Sequence, residues 1–453
     1  MLFDTVLERY AQRAPFPLML RASLEHLFRP QRLDRLFDSV AVDQYTRQLT
    51  FSAVTALLTD VVLRVRPSVR KAYRDADLPV TLRAVYDKLK GVEPSVSEAL
   101  VEKLAADVAA VLAAWPQARR ADPVAGLRLR TVDGTFLAGT QHRLKEMRGC
   151  GAAALPGMAV VLRDDRTGLL THALLREDAY TNERSLSAPL LSWLEPDDLL
   201  LADRNYCTAA LLGSLAAGGV FFLIRHHKGL HLHALGPRRR AGATRTGTVY
   251  QQRVRLGEKP GGPVCRCVAV VLKEPTRDGD TEVVLLSNVP AGRAKAAALA
   301  DLYLRRWRLE TSFQELTVLL RCEVNTLAYP RAALFGFALA VTAYNVLAML
   351  QAALAAVAGP DTVEGELSAE AVAEEVSSTK RGMEIALPAE AWERFARMSA
   401  AELAAWLQAV AGRVDWSRYR KSKRGPKKRV PVKRTRRGAH YATARLLAER
   451  TKR

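Results

Sequence analysis

Cysteine is scarce in this chain, with five in 453 residues, at positions 150, 207, 265, 267 and 322. They follow no repeated spacing, which excludes a secretory disulfide framework. The pair in "CRC" at 265–267 has no second pair to complete a zinc site. The opening "MLFDTVLERY" carries early acids and lacks the apolar core of a signal peptide. A reducing, cytoplasmic setting is expected. Acid is scarce at the far end, where residues 418–453 hold sixteen Lys and Arg against the single acid Glu449. Long apolar runs are rare too, with one exception at 334–359, "LFGFALAVTAYNVLAMLQAALAAVAG". It is uncharged and long enough to span a bilayer. Its Thr342, Asn345 and Gln351 suit equally a helix buried on most sides of a basic, globular protein.

What is present is globular in texture, 49% hydrophobic and 25% charged, with room for roughly two to four domains. The charge is lopsided: 68 Lys and Arg against 47 Asp and Glu, a net +21. Most of that excess lies in the last stretch, "RYRKSKRGPKKRVPVKRTRR" and beyond, which reads as a phosphate-binding arm. Such an arm binds DNA or RNA with salt-sensitive, largely sequence-independent affinity.

Residues 1–125 have apolar positions at helical spacing, as in "FSAVTALLTDVVLRV" and "SVSEALVEKLAADVAAVLAAW". The pattern then alternates. "LRLRTVDGTFL" (127–137) reads as a strand ending in a turn at Asp133-Gly134, and 158–177 as a hairpin. "LSAPLLSWL" is a short helix, "DDLLLADRNY" a buried strand ending at Asp203, "TAALLGSLAAGG" a helix and "VFFLIRHHK" a strand. Three antiparallel strands followed by alternating helix and strand predict an α/β, mixed α+β fold with a helix-flanked mixed sheet. Residues 231–281 read as a β-rich insertion, and a long helix is expected over about 292–322.

On that helix, "YLRRWRLETSFQEL" sets Tyr303, Arg306 and Glu310 on one face. Taken alone, this is either a surface stripe with a local Arg–Glu pair or part of a site. Two further carboxylates weigh on the choice. If the first and fourth strands are neighbours, Asp133 and Asp203 meet at one sheet end, where ligands bind in such sheets. Clustered carboxylates repel and need a cation, and hard oxygen ligands suit Mg²⁺ or Mn²⁺. Two such ions can cleave a phosphodiester. Among 47 acids many triples exist, so spacing alone leaves this open.

The blocks "VDGT…HRLKEMRG", "EDAYTNERSL", "LLADRNYCTAALL…GGVFFLIRHHKG" and "YLRRWRLETSFQEL" together resemble bacterial DDE transposases of the insertion sequence 4 type, over roughly residues 20–450. The resemblance implies an RNase H-like catalytic domain, 126–230 and 282–358, interrupted by the insertion at 231–281. A helical N-terminal DNA-end-binding domain (1–125) would precede it. A helical C-terminal region (359–416) and a basic tail (417–453) would follow. It implies that Asp133, Asp203 and Glu310 are catalytic and bind Mg²⁺ or Mn²⁺, and that Tyr303 and Arg306 contact DNA. The family's signature ends in a Lys where this chain has Thr317. Thr317 can touch a phosphate without adding charge; Arg321, one turn on, could supply that charge, with Arg308 the weaker substitute. The implied partners are terminal inverted repeats and target DNA, bound by a homodimer in the synaptic complex of the nucleoid.

His142, Arg143, Lys145 and Arg148 read either as a solvated basic loop or as contacts to flanking phosphates. "EDAYTNERSL" suits a turn and helix cap. The histidines of "HHKGLHLH" lack cysteine support for zinc. Trp307 points off the stripe and is expected in the core. Two rival functions remain: a catalytically inactive, transposase-derived DNA-binding protein, for which Thr317 speaks, and a simple RNase H-like nuclease, which needs neither the insertion nor the stripe.

Overall fold

The computed structural model describes residues 2–451 apart from 45, 47, 138–143, 145–153, 182–186, 258–260, 277–278 and 423–440. Seven helices come first: α1 (Leu2–Arg13), α2 (Pro15–Leu27), α3 (Pro30–Val40), α4 (Phe51–Val62), α5 (Val69–Asp75), α6 (Leu82–Gly91) and α7 (Pro94–Leu112). Their starts follow local chemistry. Thr50, Ser68 and Thr81 each accept a backbone N–H in the first turn, and prolines open α2, α3 and α7.

The sheet begins with β1 (Arg128–Leu137), β3 (Gly157–Asp164) and β4 (Leu170–Arg176), an antiparallel set, with the two-residue β2 (Ala154–Leu155) beside it in sequence. After α8 (Ser187–Ser192) come β5 (Asp198–Ala202), α9 (Ala209–Ala217) and β6 (Phe221–Arg225). β5 lies parallel to both β1 and β6, so the first and fourth expected strands are indeed neighbours. β7 (Leu232–Ala234), β8 (Arg239–Ala243), β9 (Gly247–Leu256), β10 (Val264–Leu272) and β11 (Glu282–Ser287) continue the same sheet, in the order β4-β3-β1-β5-β6-β11-β10-β9-β7. The β-rich 231–281 stretch is thus a lateral extension of the sheet.

β1 does not turn at Asp133-Gly134. Its pairing with β3 continues through Asp133↔Val161 and Gly134↔Val160 to Leu137↔Gly157, whereas its parallel pairing with β5 stops at Thr131↔Leu201. The antiparallel partner keeps the chain extended past the Asp-Gly signal. Asp133 therefore sits just beyond the carboxyl edge of the parallel pair. Two more residues of the β1–β5 register lead to Asp203.

The expected single helix over 292–322 is divided. α10 (Ala296–Tyr303) passes through a 3-10 turn, Leu304–Arg306, into α11 (Trp307–Val318). α12 (Pro330–Ala358) is the apolar run, and 83% of its most apolar window is buried inside the protein. Buried Asn345 explains how one polar group sits there: its side-chain amide donates to the Leu170 carbonyl and accepts from the Leu170 N–H, both at 2.8 Å. α13 (Pro360–Glu366), α14 (Ala369–Ala386), α15 (Glu393–Arg397) and α16 (Ala400–Ala411) follow. They join α1–α7 and α12 in one continuous core on one side of the sheet. α8 and α9 cover the other face through Leu190, Leu211, Leu212 and Leu215.

The C-terminal stretch does not end as a free arm. β12 (Tyr441–Ala442) pairs with β2, and α17 (Thr443–Thr451) returns Arg445 to the Asp178 carboxylate at 2.9 Å. Asp178 also accepts from the Tyr180 N–H, the turn role expected of "EDAYTNERSL"; residues 182–186 lie outside the described residues.

Candidate active site

Asp133, Asp203 and Glu310 approach one another at the sheet's carboxyl edge, each delivered by a different element. β1 supplies Asp133. Asp203 follows β5 directly and opens the 3-10 turn Arg204–Tyr206. Glu310 lies in the first turn of α11. Arg306 stands among them. Its Nη1 donates to Asp133 Oδ2 at 3.0 Å and its Nη2 to Glu310 Oε1 at 2.6 Å.

The environment bears on charge. Burial raises the Asp133 carboxyl to about 6; the Arg306 cation and the Gly134 N–H pull it down, while Asp203 and Glu310 push it up. A buried carboxyl flanked by two others is costly to ionise without a cation. Tyr303 is buried beneath this group, and burial raises its hydroxyl pKa against the opposing pull of Arg306. The donor set is all oxygen, which fits Mg²⁺ or Mn²⁺ and not a softer metal. Among the described residues no three His, Cys, Asp or Glu are drawn close enough to hold an ion by themselves. The Arg306 fork instead carries the positive charge there.

Residues 125–346 match the transposase DDE domain family. The matched stretch runs from just before β1 into α12 and contains all three carboxylates. Transposition, a form of DNA recombination, is the activity of that family; its substrate is DNA and it generally uses a divalent metal. No curated protein matches the chain.

Several residues around these carboxylates stand differently from expectation. The Thr317 hydroxyl donates back to the Phe313 carbonyl at 3.0 Å. Arg321 leaves the stripe altogether. α11 ends at Val318, and the Arg321 guanidinium donates to the Pro67 carbonyl among the N-terminal helices. Arg308 lies on the opposite face of α11, paired with Asp165 and Glu364. Trp307, expected in the core, is 62% exposed beside the site; no described residue buries it. His142, Arg143 and Lys145 lie outside the described residues.

Sequence reasoning missed Arg64. It adopts the left-handed backbone region (φ 61) after α4, and its Nη2 donates to the Thr317 carbonyl at 3.2 Å. It brings a cation from the N-terminal helices to the backbone of Thr317. Nothing in the local sequence marks a contact between residues 253 positions apart.

Proposed function

We propose that the protein is an active transposase of the insertion sequence 4 type. It binds the terminal inverted repeats of its element, cleaves donor DNA by metal-assisted phosphodiester hydrolysis and joins the freed 3′ ends to target DNA. Two DNA ends are held by a homodimer in the nucleoid-associated cytoplasm. The reading rests above all on the convergence of Asp133 and Glu310 on the single guanidinium of Arg306, with Asp203 alongside.

Asp133, Asp203 and Glu310 would hold Mg²⁺ or Mn²⁺, which activates an attacking water or 3′-hydroxyl and stabilises the leaving oxygen. Arg306, released from the carboxylates, turns its two N–H groups to the scissile phosphate, a bidentate geometry that guanidinium favours. Tyr303 limits where that guanidinium can go. The exposed Trp307 ring offers a stacking face for a base, and Arg64 a cation for a neighbouring phosphate. In this scheme residues 1–125 recognise the DNA ends, 126–230 with 282–358 carry catalysis, 231–281 form the insertion, 359–416 the helical C-terminal region and 417–453 the basic tail.

A second reading, a DNA-binding relic, draws on Thr317, whose hydroxyl is engaged by its own helix. One experiment separates the two: labelled element ends with Mg²⁺ or Mn²⁺, wild type against Glu310→Ala. Cleavage and joining by the wild type, reduced by roughly 10²–10³-fold or more in the variant, is expected. Binding without cleavage by either protein, on ends a control shows to be competent, would establish the relic. Cleavage that survives Glu310→Ala would break the assignment of the triad.

A further inference from the structure

α11 has a second face lined with polar side chains. Arg308, Ser312 and Glu315 are spaced by four and three residues and point away from Glu310. They line a cavity of about 420 Å³ between α11, the β3–β4 turn, α12 and the start of the C-terminal helices. Its polar wall is basic. Arg120, Arg163, Arg166, Arg308 and Lys421 line it, against Glu315 and Glu364, with Asp165 behind. Five positive charges face three negative ones.

The wall is constructed. Arg163 is only 4% exposed, bound to Asp165, and its Nε has no hydrogen-bond partner. Gly168 supplies the φ of 79 that the turn needs, and its bare Cα lets the Arg120 guanidinium approach, 3.3 Å from where a Cβ would stand. Asp165 and Glu364 both bind Arg308, at 3.2 and 3.4 Å, which fixes its fork at the cavity wall. Arg166 and Lys421 are exposed at the cavity's margin, and Lys421 Nζ donates to the Glu364 carbonyl. The floor is small and apolar, made by Ala348, Ala352 and Ala355 of α12.

We propose that this cavity is a phosphate-binding site, distinct from the carboxylate site on the other face of the same helix. Guanidinium forks match phosphate oxygens bidentately, and a buried donor without a partner is satisfied by such a ligand. The volume exceeds the needs of a lone phosphate and falls in the range of small-ligand sites, so two linked phosphates suit it. They belong either to a free phosphorylated compound or to the backbone of bound DNA. Occupancy ties the β3–β4 turn and Lys421 to the back of the helix that carries Glu310.

The probe is pyrophosphate, titrated calorimetrically into the full-length protein at fixed ionic strength. Three proteins are compared: wild type, Arg166→Gln with Lys421→Gln, and a charge-matched control, Arg83→Gln with Arg397→Gln, both of whose side chains are highly exposed. Wild type and control are expected to bind alike, and the cavity variant roughly tenfold or more weaker, as for loss of charge-assisted hydrogen bonds. Competition by random-sequence duplex in wild type identifies DNA backbone as the source; its absence identifies a free phosphate compound. Equal binding by the cavity variant and the control, or no binding by wild type, would overturn the proposal.

Discussion

Arg306 holds two carboxylates that repel each other, and so occupies the place of a cation with a side chain the protein cannot lose. On the proposed function, a divalent ion entering among Asp133, Asp203 and Glu310 would compete with that guanidinium. Replacing it with the neutral Arg306→Gln should therefore tighten Mn²⁺ binding while weakening DNA cleavage. Calorimetric titration without DNA measures the first effect, and an unchanged or weaker affinity would refute the competition. The same titration carries a pH arm. Metal binds the ionised carboxylate, and Asp133 begins to hold a proton near pH 6 instead of near 3.8. Mn²⁺ affinity should fall as pH drops through about 6, well before ordinary carboxylates protonate. A flat profile from pH 7.5 to about 5 would show that Asp133 is no ligand.

Elements differ in how far their sequence betrays them. β5, α9 and β6 stand where the apolar runs put them, and Asp203 follows the end of β5 as the strand pattern predicts. Asp133-Gly134 misleads because a turn signal is local, whereas the β1–β3 pairing that overrides it is made with residues 160 and 161. The 3-10 turn at Leu304–Arg306 has no Gly or Pro to announce it. It tightens the backbone between Tyr303 and Trp307, the kind of mid-helix irregularity found at functional hinges. Projecting Arg321 onto the stripe fails because α11 stops three residues earlier. α12 was ambiguous from composition, and its partners settle it. Asn345→Ala should test the clasp on Leu170: leaving that residue's N–H and C=O without partners costs about 2–4 kcal/mol. Denaturant unfolding measures it, and a loss well below 1 kcal/mol would mean water takes over the clasp.

Across the whole molecule, helices from both ends of the sequence share one core with α12. The N-terminal region is thus no appendage; α7 packs on both α12 and β4, and α2 on α14, α15 and α16. Calorimetry of the intact chain should give a single cooperative transition spanning the helices and the sheet. Two well-separated transitions would show that the shared core divides. The charge of the chain is distributed against this background, with the densest basic stretch lying between two anchored positions. On one side Lys421 donates to the Glu366 and Glu364 carbonyls, and on the other Tyr441 pairs with β2 while Arg445 grips Asp178. Both flanks of that stretch are thereby tied to the same body that carries Asp133, Asp203 and Glu310.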